Sequence, residues 1–209
     1  MRLMYLTICV FLALTSPASA LSQELTMQVL EEINLARTEP RTYAGFLRTF
    51  RGRFQGKFFV LPGSTSTCTT RVKTSEGVKA VDEAIKFLAR QKPLPPLAWS
   101  DGLAAAAAEL TEDQGRSGAT GHFDGQSNGP RERIERHGKW ERQIAENIGY
   151  GPGDPRGMVM QLIIDDGVPN RGHRENTFIP SVSAAGVAWG PHPRFRSMCV
   201  IDFAGGFRE

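Results

Sequence analysis

Ile144-Ala145-Glu146-Asn147-Ile148-Gly149-Tyr150 is the stretch that decides the fold. Its apolar residues alternate, as in a strand with one face against a core. Glu146 shares its face with Ile144 and Ile148. A carboxylate on an apolar face is costly unless it is paired, hydrogen-bonded or bound to metal, so something must meet it. Two further stretches alternate in the same way, Ala185/Val187/Trp189 and Cys199/Ile201/Phe203. They lie close enough for a hairpin through Gly190-Pro191-His192-Pro193.

Helical spacing fills most of the remainder. Leu25, Val29, Ile33 and Ala36 form one stripe. Tyr43, Phe46, Leu47 and Phe50 form a second behind Pro40, a residue suited to a helix start. Val78, Val81, Ile85 and Leu88 form a third, with Thr74 or Ser75 as cap. Ser100 caps a helix from Asp101 to about Gly115 that carries five consecutive alanines, a surface another element can approach closely. Pro130 to His137 is a short helix before Gly138, and Asp154-Pro155 opens another that turns Met158, Val159, Leu162 and Ile163 inward. Residues 51–74 read as an irregular surface insertion pinned through Cys68. Helices in blocks around a few strands, without strict alternation, predict an α+β fold. Its sheet is mostly antiparallel and flanked by helices.

Residues 1–20 have the order of a secretory signal. Arg2 is followed by an apolar run from Tyr5 to Leu14 and by Ala18-Ser19-Ala20. That run is too short for a bilayer span, which needs roughly 20 apolar residues. Cleavage after Ala20 leaves residues 21–209 as one domain, with no transmembrane segment expected. The formal charge of +3 falls to about +2 with loss of Arg2. The densest basic stretch, Arg131 to Arg142, is interrupted by Glu132, Glu135 and Glu141, so no nucleic-acid partner is expected. In an oxidising compartment Cys68 and Cys199 are expected to form a disulfide; two buried thiols are the alternative.

His122 lies in the turn-like Gly121-His122-Phe123-Asp124-Gly125, and His173 in the loop-like Asn170 to Arg174. Asp165-Asp166 ends the helix that starts at Asp154. Acids sit poorly at the negative end of a helix, which hints at a cationic partner, a protonated histidine or a metal ion. His137 is read as capping its helix, His192 as a loop residue, Trp99 and Trp189 as core. Asp202 is read as facing solvent or a neighbour's backbone, and Asn34 and Arg37 as tying the first helix to the sheet.

Five motifs in order resemble the CAP superfamily of cysteine-rich secretory, venom-antigen and pathogenesis-related proteins. They are Gly121-His122, Pro130-x-x-Arg133-Ile134, Ala145 to Gly151, Gly172-His173-Arg174-x-Asn176, and the opening Asn34-x-x-Arg37 with Leu94-Pro-Pro-Leu97-x-Trp99. The resemblance covers nearly the whole chain after the signal except about 51–90, and Gly-His-Arg is similar to bacterial members. It implies an α-β-α sandwich with a cleft of two histidines and two acids. His122, Glu146 and His173 match three of those positions, and Asp165 or Asp166 is the candidate for the fourth. As metal ligands the resemblance implies His122, His173 and Glu146, around Zn²⁺ or another divalent cation.

No His-Glu-x-x-His helix occurs, and nothing in the sequence pairs Ser117 or Ser127 with His122 as a nucleophile with its base. The first expectation is therefore a secreted, monomeric, non-enzymatic binding module. Its site would take a divalent cation with a small ligand, a lipid or an extracellular protein. A metal-dependent, peptidase-like hydrolase and a structural polar network without ligand are the alternatives. The expected location is extracellular, or periplasmic in a two-membrane host.

Overall fold

The computed structural model describes residues 17–61 and 70–209, with the side chains of the first helix from Ser22 onward. Almost all of the expected signal, and Cys68, lie outside the described residues. In chain order the elements are α1 (Pro17–Thr38), α2 (Pro40–Arg51), β1 (Phe54–Gln55), β2 (Phe58–Val60), β3 (Arg71–Lys73), α3 (Val78–Arg90), β4 (Ala98–Trp99) and α4 (Asp101–Ser117). There follow α5 (Pro130–His137), β5 (Lys139–Trp140), β6 (Ile144–Tyr150), α6 (Pro155–Ile164), α7 (Gly172–Thr177), β7 (Ala184–His192), β8 (Arg196–Ala204) and β9 (Phe207–Arg208).

The central sheet has the order β4-β7-β8-β6. Two-residue β4 runs parallel to β7, and the other pairs are antiparallel. Alternation along β8 divides the core. Cys199, Ile201 and Phe203 face a thick apolar layer built by α1, α2, α3 and α6. Met198, Val200 and Ala204 face α4. The α+β sandwich is as the sequence predicts.

The α4 layer is thin because both surfaces are small. Ala106 and Ala107 are fully buried beneath Ala184 and Ala188 of β7. Between those two alanines stands Gly186, where an added Cβ would lie 2.0 Å from the backbone nitrogen of Ala104. The alanine run thus lets the helix backbone rest directly on the strand. Ser100 caps α4 through its side chain, which accepts from Leu103 N at 3.3 Å.

Asn34 and Arg37 tie α1 to the rest of the chain, as expected. Asn34 brackets Leu97, donating to its carbonyl at 3.0 Å and accepting from its N–H at 2.7 Å. The buried guanidinium of Arg37 donates to the carbonyls of Pro95, Thr177, Ile179 and Val182. Four backbone acceptors replace a counter-ion, and burial lowers the Arg37 pKa.

Several local expectations are corrected. Residues 51–74 are not irregular throughout, since β1, β2 and β3 form a small antiparallel sheet. The rings of Phe50, Phe54 and Phe59 cluster there, with centroids 4.7–5.4 Å apart. The hairpin turn falls after His192, because β7 pairs with β8 as far as His192 opposite Arg196. Trp99 and Trp189 do pack against the main core, as expected, but from its half-buried edge. Cys199 has no disulfide partner among the described residues, and its expected partner Cys68 lies outside them. Its place in the alternation of β8 sends the sulfur into the main core, away from the surface, and burial pushes its pKa up.

Replacing Gly186 by Ala forces α4 off the sheet, and a destabilisation of about 1–3 kcal/mol is expected from overpacking. Denaturant unfolding checks this against Gly153→Ala, where no atom lies within 4 Å of the new Cβ and stability should hold.

Candidate functional site

Glu146 is 5% exposed and lies on the α4 face of β6, the terminal strand of the sheet. Its carboxylate is met from two sides. One oxygen bonds His122 Nδ1 at 2.7 Å, and the other accepts from Arg133 Nη2. Arg133 is wholly buried on α5 and reaches further, donating through Nη1 to the carbonyls of His122 at 3.0 Å and Asn128 at 2.9 Å. One guanidinium therefore holds both the acid and the backbone of the histidine that the acid binds.

The loop bearing His122 is pinned at other points. Gln114 donates to Gly121 O at 2.6 Å, and Tyr150 Oη bonds both Gln114 and Gly121 N. His192, expected in the hairpin loop, is 2% exposed. Its Nε2 bonds the Ala119 carbonyl at 2.9 Å, and its ring packs on Tyr150 and Phe195. Asp124 accepts from the N–H groups of Gln126 and Asn128, closing the turn after His122. His137 does not cap its helix; its Nε2 bonds Glu109 of α4 at 2.6 Å.

The second histidine is arranged in parallel. Helix α6 ends at Asp165, which adopts a left-handed conformation at φ 56°. One Asp165 oxygen bonds His173 Nδ1 at 2.7 Å and the other accepts His173 N–H at 2.9 Å. Asp165 is thus the acid of the second pair, and Asp166 is not. Asp166 turns the other way and accepts the N–H groups of Ser75, Glu76 and Gly77 at 2.6, 2.7 and 3.2 Å. It stands in for the Thr74 or Ser75 cap expected at α3, whose N-cap Gly77 has no side chain to offer.

Arg171 locks this segment. Its guanidinium bridges Glu76 and Glu83 and donates to the carbonyls of Asp165 and Val168. Hydrogen bonding to Arg171 holds both Glu76 and Glu83 at about 2. The two pairs hang on neighbouring residues of β6. His122 binds the Glu146 side chain, while Asn147, on the opposite face, donates to His173 O at 2.9 Å. Asn176 closes the gap, donating to Glu146 O and to the Asn147 side chain.

Each imidazole thus has Nδ1 engaged by a buried carboxylate and, among the described residues, Nε2 without a hydrogen-bond partner. The side chains of His122 and His173 are 48% and 25% exposed. Of the expected ligand trio His122, Glu146 and His173, the two imidazoles each keep a nitrogen turned away from their acids. Among the described residues no three His, Cys, Asp or Glu side chains gather around a common metal position. Glu146 is withheld because both its oxygens are taken. Two nitrogens oriented by acids are nevertheless the donor type a divalent cation uses, with the carboxylates in the outer shell.

Behind Glu146 lies Asp202, its cross-strand partner on β8. The expectation of a solvent-facing or backbone-bound side chain is overturned, because Asp202 is fully buried against the Glu146 carboxylate and, among the described residues, its oxygens make no hydrogen bond of ordinary geometry. Burial, with Glu146 opposite, pushes its pKa well above the usual carboxylate range. Arg133 Nε is also unpartnered. Arg133, Glu146 and Asp202 form a polar layer that splits the apolar contact under α4 into two clusters. The pattern hinted at Glu146 alone. Arg133 looked like one charge in a mixed helix, and Asp202 like an ordinary polar alternate.

The family profile of CAP, the cysteine-rich secretory protein family, matches residues 30–203. The chain belongs to that family. Comparison with curated proteins gives no match. Among solved structures it is similar to an extracellular SCP-domain protein of Bacillus anthracis, with 17% identity, a TM-score of 0.45 and coverage of 61% of this chain and 37% of that one. It is also similar to an outer surface protein of Borrelia burgdorferi, at 18% identity and TM-score 0.45, covering 53% and 78%. A cysteine-rich secretory protein of Staphylococcus aureus gives 16% identity and TM-score 0.42, covering 70% and 44%. The chain thus spans less than half of the Bacillus and Staphylococcus chains.

The polar layer has a testable pH signature. Because the folded pKa of Asp202 is raised, its contribution to stability is full below the unfolded carboxylate pKa and is lost as pH rises toward the folded value. Asp202→Asn removes that slope. The variant's melting temperature relative to wild type should climb as pH rises above about 4, the unfolded carboxylate value; parallel curves would contradict a raised Asp202. Arg133→Met leaves Glu146 buried without its cation and should cost about 3–5 kcal/mol.

Proposed function

We propose that the chain is a secreted, non-enzymatic binding module whose two histidines take a divalent cation such as Zn²⁺ together with a small ligand, a lipid or a partner protein. The observation that carries this reading is the paired arrangement His122–Glu146 and His173–Asp165, with both Nε2 atoms unpartnered among the described residues. A carboxylate on Nδ1 fixes the tautomer that leaves Nε2 as the lone-pair donor and raises its basicity. Glu146 and Asp165 orient, His122 and His173 hold the ion, and Arg133 and Arg171 hold the orienting segments in place. A bound cation would supply a positive centre for an oxygen of the ligand.

The engagement of both acids favours binding over hydrolysis. A metallohydrolase needs a base free to take a proton from water. Glu146 already serves His122 and Arg133, and Asp165 meets His173 through both oxygens. The same engagement supports the second reading, a polar network that only stiffens this region. Secretion rests on the signal-like residues 1–20 and the family assignment. Among the described residues no helix is long and apolar enough to cross a membrane.

Zinc titration by calorimetry separates these readings. Wild type should bind near one equivalent, and His122→Ala/His173→Ala should not bind. Asp165→Asn, which loosens an orienting contact, should weaken affinity about 10–100-fold. A wild-type protein that takes no Zn²⁺ at neutral pH would leave the structural network standing and remove the metal site.

A further inference from the structure

The end of α3, the run after it, Arg174 of α7 and the segment after α7 line an open groove of about 670 Å³. Its floor is apolar, made by Phe87, Leu94 and Pro180, and Phe87 is braced by Phe178 with ring centroids 5.2 Å apart. Its rim is cationic. Lys86, Arg90 and Lys92 are all exposed, and among the described residues none of them is in an ion pair. Asp82, the acid nearest Lys86, is taken by Arg51.

The back wall is built and rigid. The buried Arg174 guanidinium donates to the carbonyls of Ile163 and Ile164 and to Glu83 at 2.8 Å, and lies 5.4 Å from the Phe87 ring centroid. Glu83, the one carboxylate in the lining, is also held by Arg171. Both of its oxygens are thus engaged by arginines, and it is not free to neutralise the rim.

We propose that this groove binds an extended acidic peptide segment of a partner protein, with acids alternating with apolar residues. Lys86 and Arg90 are four residues apart on one helix, so about 6 Å separates them along the axis. Alternate residues of an extended chain advance by about 6.6 Å and share a face. Acids at every second position therefore meet Lys86 and Arg90 in turn, and Lys92, where the backbone turns extended after α3, continues the row. The residues between them face the other way, onto Phe87, Leu94 and Pro180. Three separated cations also call for more than one anionic group, which a single-headed lipid does not provide.

The test is fluorescence anisotropy on the full chain with a labelled peptide of sequence Asp-Phe-Asp-Leu-Asp. Three competitors are used: the scrambled Asp-Asp-Asp-Phe-Leu, the neutral Asn-Phe-Asn-Leu-Asn, and dodecanoate. The alternating acidic peptide should bind at least tenfold tighter than either other peptide. Lys86→Glu/Arg90→Glu/Lys92→Glu, all at exposed positions, should lose at least tenfold while melting as wild type does. Equal binding of the scrambled peptide would reduce the groove to an unselective polyanion surface and overturn the proposal. Tighter binding of dodecanoate, no binding of the acidic peptide at millimolar concentration, or an unchanged affinity in the folded triple variant would each overturn it as well.

Discussion

A buried guanidinium organises this molecule. Arg133 has no water around it, so each N–H it can donate must find an acceptor inside the protein or go without. Two of its acceptors are the backbone carbonyls of His122 and Asn128, which fixes a loop that otherwise has little core to hold it. Its third is the carboxylate of Glu146, which could not stand on the apolar face of β6 without a cation. Because Glu146 then points its other oxygen at His122, the position and the tautomer of that histidine follow from an arginine on a different helix. Replacing such a group with an apolar side chain is often tolerated when both partners change together. Removing one alone strands a charge.

The second histidine depends on the same principle carried out with different parts. Arg171 and Arg174 are neighbours of His173, yet neither touches its ring. They hold the turn by donating to carbonyls at 163–168 and to the acids of α3. Asp166 strengthens that bond by receiving three backbone N–H groups ahead of α3, where the positive end of the helix favours a carboxylate. The adjacent acids Asp165 and Asp166 thus point apart, one into the histidine pair and one into a helix start. The left-handed conformation at Asp165 makes that divergence possible.

Much of this was legible in the sequence because it rests on short-range patterns. The alternation in β6, β7 and β8, the helical stripes, the Ser100 and Asp154 caps and the alanine run all follow from local periodicity and local hydrogen bonding. Glu146 announced a partner because a charge on an apolar face is anomalous. What stayed hidden was long-range. Nothing near Arg133 says that it is buried, and Asp202 looks like any polar residue on a strand until Glu146 is seen across from it. Asp165 and Asp166 could not be told apart, since their roles are set by residues eight positions downstream and about ninety upstream. The strands inside 51–74 were missed because each spans only two or three residues, too few to show a period.

The fate of Cys199 reaches beyond redox chemistry. Its sulfur sits in the main core on the central strand β8, facing the α1 and α6 layer and wholly out of contact with solvent. An alkylating reagent cannot arrive unless the sheet and that layer part, and burial keeps the thiol in its unreactive protonated form until they do. The rate at which this one side chain is modified therefore measures how often the centre of the fold opens. It is a clock for the rare excursions of the native state, placed by the sequence where those excursions are slowest.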